Sequence, residues 1–444
     1  MKKFLAILLA ALMIVSAFAC TAPKTEDDKP ADNQQGAAAT NVEAGEEVKP
    51  LKVGVLVSGT GAYAAMGPQG QAAMDAFMGL YNNGLVAGRQ IELIVEDDES
   101  DTTLGVQKAQ KLVEQEGCEV IIGPMVGSIS TAVKEYAGTQ PDVTFIMGGG
   151  SDTITYGTVY PNIFRTCESG AQSCFMLGDY AYDDLGYRKV IAVAPDSDFQ
   201  YSCIAGFKST FLLKGGEFDC IWFPESGNDF SSLIAQIPDD ADAVFLAGGG
   251  ANGIDFLKQY KEFGKTQPII AIYTVMDSGT ISNPVTGAVM EAANAQGPCA
   301  IPGDSDSEVY NAIKKCSMEA LGYTVSTHTA TVYDGLAALA AGLEASGGKS
   351  DSASLCEALK TVEFQGSRGT TRFDENGQII LTYYMCNLAF DEESQTYYTK
   401  KIPDLVYEDC GQFGPFDPAW WASLDTPDRN KPTKETIMGA VLAN

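Results

Sequence analysis

The chain has 444 residues, with 29 basic and 58 acidic side chains and a formal charge of −29. That acidity excludes nucleic acid and anionic lipid surfaces as partners for the bulk surface. A single histidine, His328, nearly excludes imidazole relays and multi-histidine metal sites.

Lys2 and Lys3 precede an apolar run from Phe4 to Val15. The run has signal-peptide length and falls short of the roughly 20 residues of a membrane span. It ends in Ala17, Phe18, Ala19 and Cys20. Ala17 and Ala19 suit simple secretory cleavage; Cys20 suits lipidation at a lipobox, in which Phe18 is an uncommon occupant. Residues 21–50 are rich in Ala, Pro, Glu, Asp, Asn and Gln and lack apolar periodicity. A domain hung on a lipid needs such a disordered tether, which favours lipidation. The expectation is a signal peptide over 1–19, a lipid on Cys20, a tether over 20–50, and an extracytoplasmic protein held to the membrane by that lipid only.

From Leu51 onward, β-branched runs alternate with helical stretches. Strands are predicted at Leu51–Val57, Ile91–Val95, Val120–Ile122 and Val143–Met147. Helices are predicted around Ala72–Tyr81, Thr103–Gln115 and Ser130–Ala137. The pattern restarts with strands Lys189–Val193, Phe218–Phe223, Ala243–Ala247 and Ile269–Tyr273. Helices Tyr201–Leu213, Phe230–Ile237 and Gly253–Phe263 lie between them. Strands alternating with helices of this length mean βαβ units and parallel sheets, here in two α/β lobes. Glu308 to about Gly348 is helical, and Thr371–Ile380 is a hairpin turning at Asn376 and Gly377. The tail after about Asp391, with Trp420 and Trp421, is expected to pack its aromatics on a lobe. Setting Cys20 aside leaves ten cysteines, for which an export compartment makes disulfides the expected state over buried free thiols. Cys167/Cys174 and Cys203/Cys220 are near in sequence, but spacing does not fix pairing.

No Gly-x-Ser-x-Gly elbow and no Walker A loop is present. Gly59 to Ala64 fits a dinucleotide fingerprint after the first strand. The acids Asp97 and Asp98 stand too far beyond it, and an exported chain lacks a supply of NAD. What remains is a set of four glycine-bearing loops at strand ends: 58–61, 123–130, 148–151 and 248–252. There backbone N–H groups can approach a ligand, and open α/β sheets bind ligands at that edge. Tight turns and helix caps are the plainer account of any one loop.

Together these residues resemble the branched-chain amino-acid binding proteins of the type I periplasmic binding fold. The likeness runs through Val55–Gly67, Ile91–Asp101, Val120–Ser128, Phe164–Thr166, Asp229–Ile237, Tyr333–Gly347 and Gly369–Gly377. It implies two Rossmann-like lobes with parallel sheets, joined by a three-segment hinge. Their bounds would be 51–168 with 301–368, and 169–300 with 369–444. It also implies no catalysis; from the residues, no cofactor and no metal are expected. Carried over by position, it puts Ser128 on a ligand carboxylate, with Ser130 nearby, and gives the ligand backbone N–H groups and a hydroxyl from Gly149, Gly150 and Ser151. Phe199 and Tyr201 would cover the ligand from the second lobe. Gly249 stands where a second aromatic is common, and Tyr273 where an acid often takes an ammonium group, with Asp277 a replacement. Tyr63 completes the expected set. The function so implied is capture of an amino acid, amide or related carboxylate for ABC permease subunits. A tethered sensor of the same fold is the alternative.

Overall fold

The computed structural model describes residues 49–224, 227–424 and 427–443, so the leader and Cys20 lie outside the described residues. Six strands form a first sheet: β1 (Leu51–Val57), β2 (Leu85–Val86), β3 (Arg89–Asp97), β4 (Val120–Ile122), β5 (Thr144–Met147) and β6 (Ile163–Arg165). Their order is β2-β3-β1-β4-β5-β6, and all neighbours but β2 and β3 run parallel. β1 is central and covered on both faces, which is why it reads as an unbroken apolar run. Leu51, Val53, Val55 and Val57 enter one core, whereas Leu56 enters the other. Helices α1 (Met66–Leu80), α2 (Thr102–Gln110) and α3 (Gly127–Ala137) connect these strands.

α4 (Gly170–Asp183) leads to a second, wholly parallel sheet in the order β10-β9-β7-β8. Its strands are β7 (Lys189–Pro195), β8 (Glu217–Phe223), β9 (Ala243–Leu246) and β10 (Ile269–Ala271). The helices between and after them are α5 (Asp198–Leu213), α6 (Ser231–Ile234), α7 (Gly250–Glu262), α8 (Ser278–Ile281) and α9 (Pro284–Ala292). The chain then returns to the first sheet: α10 (Glu308–Leu321) and α11 (Thr327–Ala345) pack on α1, and α12 (Ser352–Leu359) reaches β5.

An antiparallel sheet completes the fold, from β11 (Gly297–Cys299), β12 (Phe364–Gly366), β13 (Gly369–Phe373), β14 (Ile379–Asp391) and β15 (Thr396–Cys410). The hairpin turn falls at the expected place, with Gly377 in the left-handed region at φ +79°. β15 is a 15-residue strand in the tail that sequence could not place. Pro403, two left-handed residues (Asp404 and Asp409) and register shifts opposite β14 hide its alternation. Beyond it, α13 (Pro418–Ala422) lays Trp421 edge-on against Phe175 of α4, and Tyr156 Oη donates to the carbonyls of Trp421 and Leu424. A last short helix, α14 (Lys434–Met438), rests on α5.

The ten described cysteines are free thiols, which corrects the expectation of disulfides. Packing also splits the pairs that were near in sequence. α4 lies along α5 and sets Cys174 beside Cys203, while the β11–β14 ladder sets Cys299 beside Cys386. No helix among the described residues is long and apolar enough to cross a membrane.

The chain passes between the sheets three times, and side chains from two of these passages meet in a buried ion network. Arg368 Nε donates to Asp334 at 2.7 Å and its Nη1 to Glu168 at 2.7 Å, with these side chains at 0–2% exposure. A further N–H of Arg368 reaches the Thr166 carbonyl. Gln378 adds a second tie, accepting from Arg165 and donating to the Cys167 carbonyl and to Gln172. Removing one member of such a network leaves buried charge without a partner. Arg368→Met is expected to lower unfolding free energy by about 3–5 kcal/mol in chemical denaturation; a loss below about 1 kcal/mol would contradict this role.

Candidate ligand-binding site

The carboxyl ends of the parallel strands deliver the candidate residues. α3 starts at Gly127, three residues before its sequence-predicted start, because Val126 already serves as its N-cap. Valine has no side chain able to accept from the first-turn amides, so these N–H groups are left for another acceptor. α5 begins after Ser197, whose hydroxyl is turned to Gln200 and caps nothing. α7 begins after Gly249, which has no side chain to cap with. Elsewhere Asp101, Ser169, Asp277, Asn283, Ser307, Ser326 and Asp351 cap the starts of α2, α4, α8, α9, α10, α11 and α12.

α1 and α6, which follow Ala65 and Phe230, also lack a side-chain cap, but a chain of close approaches joins the uncapped starts of α3, α5 and α7. A Cβ on Gly127 would lie 2.6 Å from Ser151 Oγ, and one on Gly149 would lie 2.4 Å from Ser130 Oγ. A Cβ on Gly150 would lie 2.9 Å from the Phe199 ring and 3.2 Å from the Tyr273 hydroxyl. Glycine is therefore required where the first sheet's loops meet the aromatics of the second. The Phe199 and Tyr273 rings meet edge to face at 5.9 Å. Gly249 abuts Thr274, whose Oγ1 is buried without a hydrogen-bond partner. Burial first, then the Cys167 thiol 3.7 Å away, push the Tyr273 phenol well up, so it stays protonated. Behind Tyr273 a cavity of about 10 Å³, room for one water, reaches Asp277, Cys299 and Thr327.

The structure thus gathers Gly149, Gly150, Ser151, Phe199, Tyr273 and Gly249, with Ser128 exposed on the first turn of α3. The other four expected residues are engaged or placed as follows. Ser130 is buried, and its hydroxyl donates to the Pro124 carbonyl at 2.9 Å, bracing the loop. Tyr201 donates to Asp196, which also accepts from Arg429 of the tail, and lies edge-on to Trp222. Asp277 is spent on two helix starts, accepting from Gly279 N at 2.9 Å and Thr327 N at 2.6 Å. Tyr63 sits exposed in the turn after β1, its N–H held by Ser100. The glycine loop before it faces inward too: Asp97 accepts from Gly59 N, Thr60 N and Glu99 N. Burial acts to raise the Asp97 carboxyl, but these donors outweigh it and hold it below the usual carboxylate range.

Gly127 and Thr274 are the candidate-site residues that sequence reading passed over. The one available signal was Val126, a poor cap ahead of a helix. Among the described residues no group of three or more His, Cys, Asp or Glu could hold a metal. Burial keeps His328 below the ordinary histidine range and so neutral.

This geometry defines a two-lobed α/β binding protein. The chain belongs to the periplasmic binding protein family, whose sequence profile matches residues 50–393, and it is a binding protein, not an enzyme. A relative from Brucella melitensis biotype 1, named Leu/Ile/Val-binding protein homolog 6, is 28% identical over 364 residues, covering 79% of this chain and 90% of its own. Among solved structures, the solute binding protein of an ABC transporter from Rhodopseudomonas palustris BisB5, in complex with 3,4-dihydroxy benzoic acid, is 25% identical with a TM-score of 0.73, covering 82% of this chain and 98% of its own. A leucine binding protein from Thermotoga maritima MSB8 has 21% identity and a TM-score of 0.67 over 80% and 99% of the two chains, a likeness of fold alone.

Because Asp277 serves two helix starts, Asp277→Ala is expected to lower stability by about 1–2 kcal/mol in urea denaturation. An unchanged midpoint would contradict the capping role.

Proposed function

We propose that this protein is the capture subunit of an ABC importer, lipid-anchored through Cys20, and that it takes a small carboxylate. The observation that carries this reading is the meeting of three uncapped helix starts, on α3, α5 and α7, beside Phe199 and Tyr273. Unfilled first-turn amides at the positive end of a helix select an anion, and the rings supply an apolar wall. The ligands named for the relatives fit that chemistry: leucine, isoleucine, valine and dihydroxybenzoate each join a carboxylate to an apolar body. Ser128 adds a hydroxyl donor to the carboxylate. The engagement of Asp277 elsewhere leaves an ammonium group without its expected partner, which favours acids lacking an amine. The lobes, divided at 51–168 with 301–368 and 169–300 with 369–444, close around the ligand by hinge motion, and the permease subunits recognise the closed form.

Soluble protein starting near Val48, unfolded and refolded to strip carried ligand, is to be screened by thermal shift against amino acids, amides and benzoates. A ligand at a hundredfold excess over Kd stabilises by about 2.7 kcal/mol, so one chemical class should raise the melting temperature clearly. A flat response to all three classes would sink the proposal. For the ligand found, Ser128→Ala is expected to weaken binding by about 1.5–3 kcal/mol by calorimetry, the scale of a charged hydrogen bond. Unchanged affinity would remove Ser128 from the site.

A further inference from the structure

A second pocket, of about 710 Å³, lies between α5, β8 and residues 429–434 of the tail. Its volume falls in the range of small-molecule sites. Lys208 of α5 lines it and is only 8% exposed. No hydrogen bond or ion pair satisfies its ammonium group among the described residues, although buried charges are ordinarily paired. Desolvation pulls its pKa down to about 8, with the Cys220 thiol and Asp428 acting in the opposite direction. The remaining walls are suited to an apolar body. Ile204, Leu212, Phe218 and Trp222 line the pocket, and the Phe218 and Trp222 rings are braced by Phe207 and Tyr201 at 5.5 and 5.2 Å. Arg429 and Lys434 add positive charge, with Arg429 already joined to Asp196. Glu217 and Asp219 also line the pocket; both are exposed, so water screens their charge, whereas Lys208 sits in the drier part.

We propose that this pocket is a second binding site, for a small organic carboxylate with a flat apolar body, its carboxylate paired with Lys208 and its ring laid on Phe218 and Trp222. The site shares no residue with the group around Gly150 and Phe199, so it does not depend on the function proposed for that cleft. An occupant would supply the direct ion pair that Lys208 lacks among the described residues. It would also bridge α5 to the tail.

Benzoate is the probe, titrated calorimetrically into the full-length protein carrying Phe199→Ala, which takes one of the two rings from the cleft and weakens benzoate there. The expected result is binding of one benzoate per chain, weakened at least tenfold when Lys208→Met is added. Methionine keeps the aliphatic stem, and an unchanged circular-dichroism melt will show that the variant folds. Equal binding with and without Lys208→Met would overturn the proposal, as would no binding in the Phe199→Ala protein. Trp222 gives an independent readout: benzoate should quench tryptophan fluorescence in the Phe199→Ala protein, and Trp222→Phe should abolish the quench. Quenching that persists in Trp222→Phe would place the ligand elsewhere and overturn the proposal too.

Discussion

The guanidinium of Arg368 is the interaction on which the arrangement of this protein rests. It lies in the passage between β12 and β13, where it meets Asp334 from α11 and Glu168 from the passage between β6 and α4. None of the three reaches water, so each charge needs the others in place. The same stretch that carries Glu168 carries Ser169, which caps α4, and Gly170, whose N–H donates to the Gly150 carbonyl. The network therefore fixes where the two parallel sheets stand and, two residues beyond Glu168, where the loop of Gly150 meets Phe199.

Around that anchor the helix starts differ in whether a side chain meets their first amides. Those of α2, α8, α9, α10, α11 and α12 are closed by their own Asp, Asn or Ser side chains, whereas the starts of α1 and α6, after Ala65 and Phe230, have no capping side chain. Those at the candidate site are preceded by valine, by a serine turned aside, or by glycine. Each capping side chain omitted forgoes about 1 kcal/mol of helix stability. Left open, the same amides are donors held in position by rigid helices, which an incoming anion can meet without reorganisation.

Much of this was legible in the residues. The central strand Leu51–Val57 and the strand Val120–Ile122 fall at their expected bounds, because a parallel strand covered on both faces writes itself as an apolar run between glycine-bearing turns. The glycines at 149 and 150 were readable for the same reason that they are needed: nothing larger fits beneath Ser130 and Phe199. What could not be read depended on partners distant in sequence. Ser130 and Ser128 look alike in the chain, yet one hydroxyl is bound to Pro124 whereas the other residue is exposed. Asp277 resembles a ligand acid until Thr327, 50 residues away, is seen to use it. β15 escaped because a strand interrupted by Pro403 and Asp404 has no period to detect. The cysteine neighbours were likewise set by helix and ladder packing across long separations.

The open helix starts bear on how such a site diverges. Main-chain N–H groups survive almost any substitution, so the capacity to hold an anion is inherited with the backbone and is hard for mutation to erase. The rings of Phe199 and Tyr273 enjoy no such protection. Drift among descendants of this chain would accumulate there first, exchanging one acid for another while the anion-holding frame stayed constant.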